Sequence, residues 1–300
     1  MPQTTANGIR LTYETYGPET GAPLLLICGL GMQMIRWPQG FLDALVARGF
    51  HVIAMDNRDV GLSQGFDEAG VPDLQAIVAE RQAGRWPAAP YCLSDMAADC
   101  AGLLDALGIA QAHVAGMSMG GMIAQLVACD HRAKALSLTS IMSTTSEPGL
   151  PPGTPAALEA LSKPRPHPDD DLETFLKLSV AASRAIGSPA FPAPEAEIHA
   201  RALADARRAW RPQGFARQYA AIMASPGRAA KLAALDLPAT VIHGVQDPLV
   251  RFEGGKATAE AIPGCELVAI EGMGHDLPTE LHARIADALA ATAERARAAA

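Results

Sequence analysis

Short apolar runs alternate with amphipathic stretches along most of this chain. Residues 9–16 alternate polar and apolar positions with period two, which predicts a half-buried strand, while 24–28 and 51–55 are continuous apolar runs that predict fully buried strands. Between those runs, residues 41–47 space their apolar positions as one face of a helix. Strand, helix and strand in this order predict a parallel sheet. Residues 94–107 predict a helix with Ser94 at its start, followed by a strand at 112–115, a helix at 122–129 and a strand at 135–142. After Met142 the rhythm breaks. Residues 147–168 carry seven prolines, and 172–228 show helical periodicity with no strand candidate. Strand patterns return at 237–244 and 265–270, and an alanine-rich helix over 279–300 is expected to pack on the sheet and fray at its end. The pattern predicts an α/β protein with a mostly parallel central sheet flanked by helices. Its core is split between 1–143 and 233–300, and an inserted helical cap spans 144–232.

The strand at 112–115 and the helix at 122–129 are joined by Gly116-Met117-Ser118-Met119-Gly120. A serine at the tip of such a turn sits in a strained backbone, and the glycines two residues to either side remove Cβ atoms that would collide with neighbouring chain. Gly121 extends that permission to the packing of the helix on the sheet. A glycine-rich turn alone could carry this pentapeptide, so its surroundings decide the reading. A nucleophilic serine needs an acid and then a histidine farther along, each following a strand. Asp247 follows the strand at 237–244 in the stiff turn Val245-Gln246-Asp247-Pro248, and His275 follows the strand at 265–270 behind Gly272 and Gly274. His51, His113 and His243 read as strand or strand-end residues, and His131, His167, His199 and His282 as exposed ones. Glu147 is the one credible substitute acid. Two backbone amides would hold the developing oxyanion: Met119, at the positive end of its helix, and Leu30, in the glycine-flanked loop Gly29-Leu30-Gly31-Met32.

These residues resemble the α/β-hydrolase fold superfamily through most of the chain. The serine pentapeptide resembles its Gly-x-Ser-x-Gly, Cys28-Gly29-Leu30-Gly31 its His-Gly oxyanion loop, and the segment from Asp56 to Ser63 its Asp-x-Arg-x-x-Gly-x-Ser turn. Cys28 departs from the usual histidine and removes a side chain that normally braces the loop. The run from Tyr91 to Asp99 is similar to the lead-in of the corresponding helix in bacterial esterases related to aclacinomycin methylesterase. The resemblance implies a serine esterase whose triad is Ser118, Asp247 and His275.

Composition narrows the function further. A hydrophobic content of 49% over 300 residues can bury a large core, yet no apolar stretch is long enough to span a bilayer. The net charge of −8 disfavours nucleic-acid partners. Nothing at the start reads as a signal peptide, and five cysteines without a Cys-x-x-Cys fit reduced thiols in a cytoplasm. No zinc spacing or complete dinucleotide or nucleotide motif occurs, so no cofactor and no metal are expected. Met32, Met142, Leu249 and Met273 are candidate substrate-pocket walls, joined by Met119 and, from the cap, Phe175, Phe191, Trp210, Phe215 and Met223. Arg201, Arg207, Arg208, Arg211 and Arg217 read as a solvated helix face, although an inward-facing arginine could bind a substrate carboxylate. The expected activity is hydrolysis of small to medium apolar carboxylic esters through an acyl-enzyme. Perhydrolase, lactonase, thioesterase and carbon–carbon hydrolase chemistry, ligand binding without catalysis, and homo-oligomerisation all stay open.

Overall fold

The computed structural model describes residues 1–299, so Ala300, the last residue of the expected terminal helix, lies outside them. In chain order the first half runs β1 (Gln3–Ala6), β2 (Ile9–Tyr16), β3 (Ala22–Ile27), α1 (Gln39–Val46), β4 (Phe50–Met55), α2 (Leu74–Gln82), α3 (Leu93–Ala106), β5 (Ala112–Met117), α4 (Met119–Asp130) and β6 (Ala135–Ile141). Five helices follow without a strand: α5 (Pro155–Ser162), α6 (Leu172–Ile186), α7 (Glu195–Arg208), α8 (Pro212–Ala224) and α9 (Ala229–Leu232). The chain then closes with β7 (Ala239–Gly244), α10 (Phe252–Ala261), β8 (Glu266–Ile270) and α11 (His282–Ala299). No helix among the described residues is long and apolar enough to cross a membrane.

One eight-stranded sheet has the order β1-β2-β4-β3-β5-β6-β7-β8. Strand β2 pairs antiparallel with β1 and β4, and every pairing from β4 to β8 is parallel. Burial on both faces explains why the central strands read as unbroken apolar runs. Leu25 and Ile27 of β3 point into one core with residues of α3 and α4, while Leu24 and Leu26 point into the other with residues of α1 and α11. Because β3 and β5 to β8 are parallel, their C-terminal ends lie along one edge of the sheet, where turns carrying polar side chains can meet.

Local sequence explains two departures from expectation. Helix α3 begins one residue before Ser94, and its cap is Cys92, whose amide donates to the Asp95 carboxylate at 2.8 Å. The acid three residues into the helix reaches back and satisfies an amide that the helix itself leaves free. His282 is not exposed: it begins α11 at 6% exposure, with its ring 5.9 Å from that of Phe41.

Helix α8 is joined to the sheet by a buried ion pair. Arg217 donates to both oxygens of Asp59 at 2.8 and 2.7 Å, and both side chains are fully buried. The same guanidinium donates to Asp67 at 2.7 Å and the Gly70 carbonyl at 2.9 Å, while the Tyr91 hydroxyl donates to Asp59 at 2.7 Å. Nearby, Arg208 of α7 pairs with fully buried Asp56 at 2.7 Å. Arg217 and Arg208 are therefore not a solvated helix face, because their carboxylate partners lie some 150 residues earlier in the chain.

Removing one member of a buried pair strands the other charge in a poorly solvating interior. Arg217→Met is expected to lower the unfolding free energy by about 3–5 kcal/mol in urea titration. Lys231→Ala, which breaks a largely exposed pair with Asp130, should cost at most about 1 kcal/mol. Acid sensitivity follows from His113, which is 4% exposed with Nδ1 2.8 Å from the Ser137 hydroxyl. Burial is the main cause holding its pKa down to about 4, against about 6.5 for an exposed imidazole. The unfolded chain takes up the proton first, so this contribution is complete above the upper value and is lost as pH falls toward the lower one. His113→Gln is expected to flatten the fall in stability across that window, as read by denaturant midpoints at successive pH values.

Candidate active site

Ser118 occupies the turn between β5 and α4 at φ 55°, ψ −122°. This conformation costs a non-glycine residue about 1–3 kcal/mol and persists only where the surroundings impose it. Two close backbone approaches do so. A Cβ on Gly116 would lie 2.0 Å from the Gly120 carbonyl oxygen, and one on Gly120 would lie 2.1 Å from that of Ile27. The Ser118 amide donates to the Ile141 carbonyl at 2.9 Å, and its carbonyl accepts from the Ser143 hydroxyl at 2.8 Å. The backbone is thus fully engaged, while the Ser118 hydroxyl has no hydrogen-bond partner among the described residues.

The loop after β3 passes beside this serine, since a Cβ on Gly29 would sit 3.3 Å from that of Ser118. Three side chains brace it. Asn57 donates to the Cys28 carbonyl at 2.9 Å, Gln218 of α8 accepts from the Gly31 amide at 2.8 Å, and Asp56 accepts from the Met34 amide at 2.8 Å. Cys28 is buried, and desolvation pushes its thiol well above the ordinary range, so it packs as a neutral group. Asn57 and Gln218 were not singled out in the sequence. Asn57 lay within a recognised turn motif, but nothing local pointed to Gln218. The Leu30 and Met119 amides have no acceptor among the described residues, and the Met119 amide opens α4, where the helix presents its positive end.

Asp247 and His275 meet after β7 and β8. The carboxylate Oδ1 accepts from the Leu249 and Val250 amides at 2.9 Å each, leaving Oδ2 2.7 Å from His275 Nδ1. His243 Nε2 lies 3.5 Å from the same Oδ2 and 2.8 Å from the Val250 carbonyl. Burial pulls the His243 pKa down, so the ring is neutral and donates to that carbonyl. The α6–α7 connection fixes the histidine loop in turn: His275 donates its amide to the Ile186 carbonyl at 2.7 Å, Gly274 donates to the Ser188 hydroxyl at 2.9 Å, and the Ser188 amide and hydroxyl both donate to Asp276. Asp247 and His275 are therefore joined directly. Ser118 stands on the same edge of the sheet, and no hydrogen bond among the described residues links it to His275.

Glu147 is committed elsewhere, accepting from the Ala229 amide at 2.8 Å where α9 begins. Met142 and Met273 are 1% and 0% exposed within the core, whereas Met32 and Leu249 are half-buried. Among the residues of the inserted helices, Phe215 packs on Gly31, Phe175 is buried, and Trp210 is 37% exposed against His167 and Phe175. A surface concavity of about 610 Å³ lies at β1 and α3, lined by Thr5, Asn7, Asp105 and His131 among others, and contains none of the three candidate residues.

The sequence profile of the alpha/beta hydrolase family matches residues 24–288. Rhodomycin D methylesterase of Streptomyces peucetius is 29% identical over 304 aligned positions, covering 96% of each chain. The 3-oxoadipate enol-lactonase 2 of Acinetobacter baylyi is 24% identical, covering 89% of this chain and 87% of its own. Among solved structures, a thermophilic esterase from Thermogutta terrifontis superposes with a TM-score of 0.68 at 23% identity, covering 98% of both chains. A meta-cleavage product hydrolase from Pseudomonas fluorescens superposes with a TM-score of 0.72 at 17% identity, covering 100% of this chain and 98% of that one. At such identities the structural likeness establishes the fold.

A methyl group at position 120 would have to displace the Ile27 backbone. Gly120→Ala is expected to destabilise the fold by about 1–3 kcal/mol or more through overpacking, measured as the shift of the urea midpoint.

Proposed function

The chain belongs to the alpha/beta hydrolase family, and from that premise we propose that it hydrolyses carboxylic esters through an acyl-enzyme on Ser118. The observation that carries this reading is the strained backbone of Ser118, imposed by close packing on both sides while its hydroxyl is left uncommitted. Strain of this kind is retained where a side chain must be presented. In the proposed mechanism, Ser118 Oγ attacks the ester carbonyl as its proton passes to His275 Nε2. Asp247, bonded to Nδ1, holds the productive tautomer and stabilises the imidazolium. The oxyanion receives the Leu30 and Met119 amides, each such donor being worth about 3–4 kcal/mol. His275 then returns the proton to the departing alcohol, and water attacks the acyl-enzyme in the reverse sequence, releasing the acid and restoring the serine.

Residues 144–232 act in this reading as a cap over a core formed by 1–143 and 233–300. The contacts of Phe215 and Gln218 with Gly31, and of Ile186 and Ser188 with the histidine loop, support that role. Met32, Met142, Leu249 and Met273 are proposed to line or back the pocket. The methylesterase relative, aligned over nearly the full length, favours ester cleavage over lactone or carbon–carbon cleavage. All five cysteines are free thiols, which supports a reducing, cytoplasmic setting.

The test is turnover of p-nitrophenyl esters of increasing acyl length together with labelling by an organophosphonate. Ser118→Ala is expected to lower kcat by about 10⁴- to 10⁶-fold and to abolish labelling. A wild-type protein inert to both probes would overturn the reading.

A further inference from the structure

We propose that the substrate carries a carboxylate in addition to the ester that is cleaved, and that Arg201 and Arg36, with Arg165 beside them, bind it under the cap. The proposal rests on the esterase reading and adds the substrate class.

Arg36 lies at the end of the loop that carries Leu30, while Arg201 and Asp205 lie one turn apart on α7. Arg165, on the connection between α5 and α6, is exposed, with Nη1 3.5 Å from the Ser179 hydroxyl, and its charge reaches Asp205. The charges of all three guanidinium groups reach Asp205, whose Oδ2 accepts from Arg36 at 2.7 Å. Arg201 is half-buried yet makes no hydrogen bond or ion pair among the described residues, and its Nε is enclosed without a partner. The Nε of Arg36 and the Oδ1 of Asp205 are likewise enclosed and unpartnered.

Desolvation followed by repulsion from Arg36 lowers the pKa values of both Arg165 and Arg201, while desolvation raises that of Asp205. Even so, the Arg36 and Asp205 side chains keep 32% and 21% of their surface open to solvent. Arg36 and Asp205 are thus partly enclosed by protein yet reached by water, and Arg165 is exposed. A surplus of enclosed positive charge there is unfavourable until an anion enters.

The cluster also borders the catalytic loop. Arg201 is close enough to Asp276, the neighbour of His275, for each to bias the charge of the other. Asp276 makes no hydrogen bond to Arg201 among the described residues, and its Oδ1 accepts from the Ser188 amide and hydroxyl. Glu197, the other acid that Arg201 senses, is exposed. Three guanidinium charges set against the Asp205 and Asp276 carboxylates leave about one positive charge, which suits a monoanionic carboxylate, bound by an arginine fork through two parallel hydrogen bonds, better than a phosphate dianion.

The experiment compares the monomethyl and dimethyl esters of glutarate, adipate and suberate as substrates. Wild-type enzyme is expected to favour the half-ester of at least one length by about 10- to 100-fold in kcat/KM, the contribution of one or two charge-assisted hydrogen bonds. Arg201→Gln should bring that ratio close to one, mainly through KM. Arg201→Lys should restore part of it, and Arg207→Gln, on the exposed side of the same helix, should leave it unchanged. Wild-type enzyme that shows no preference, or Arg201→Gln that keeps it, overturns the proposal.

Should neither ester turn over, the p-nitrophenyl esters and the organophosphonate decide the esterase reading separately, and calorimetric titration with the free dicarboxylates decides the anion site alone. Binding that weakens about tenfold or more in Arg201→Gln supports the site, and absent or unaltered binding overturns it. Displacement by inorganic phosphate at lower concentration than the dicarboxylate would overturn the carboxylate assignment.

Discussion

The geometry of the candidate site depends on how closely the first turn of α4 approaches the ends of β3 and β5. The Gly120 Cα rests against the Ile27 carbonyl, and Gly116 against the Gly120 carbonyl, with no room for a methyl group at either point. That contact forces the turn at Ser118 into its positive-φ conformation. It also aims the helix N-terminus across the edge of the sheet and brings the Met119 amide toward the loop that carries Leu30. A looser helix would relax the serine and separate the two amides. The strain is local, and the two sheet-facing cores offset it by fixing α4 on one side and the strands on both.

A second layer of constraint comes from the helices between β6 and β7. They meet the site loops at two places, through Gln218 and Phe215 at the loop after β3 and through Ile186 and Ser188 at the loop after β8. Between these anchors the Arg217–Asp59 pair ties α8 to the turn that also supplies Asn57. The segment from Asp56 to Ser63 thus links three tasks. It holds the loop after β3 from below, receives two arginines from the inserted helices, and closes on itself through the Ser63 hydroxyl, which donates to the Asp56 carbonyl at 2.6 Å.

Strands β3 to β7 were legible because burial on both faces keeps them mostly apolar, whereas β8 is largely exposed and was marked by its short apolar run alone. The serine pentapeptide, Asp247 and His275 were legible because each sits in a turn whose glycine or proline content marks it. Three elements escaped notice for physical reasons. Strand β1 is four residues at an edge, α2 buries only Ile77, and α10 carries two glycines where a helix pattern would be sought. The arginines were misread because their partners are distant in sequence: no local pattern shows that Arg217 lies against Asp59 or Arg208 against Asp56. Gln218 escaped for the same reason, since a glutamine on an amphipathic helix reads as solvated until the loop it braces is in view.

The hydrogen bond from the His275 amide to the Ile186 carbonyl makes the inserted segment part of the scaffold of the candidate site, and in the proposed reading its roof as well. A chimera that exchanged the helices of this protein for those of a relative would change the pocket, as intended. It would also replace the connection that sets the position of the histidine backbone. Modularity therefore stops at residues 186–188, which belong mechanically to the sheet domain although the chain reaches them in the middle of the insertion. Under the proposed function, specificity in this scaffold can diverge freely only in the parts of the insertion that do not touch the loop of His275.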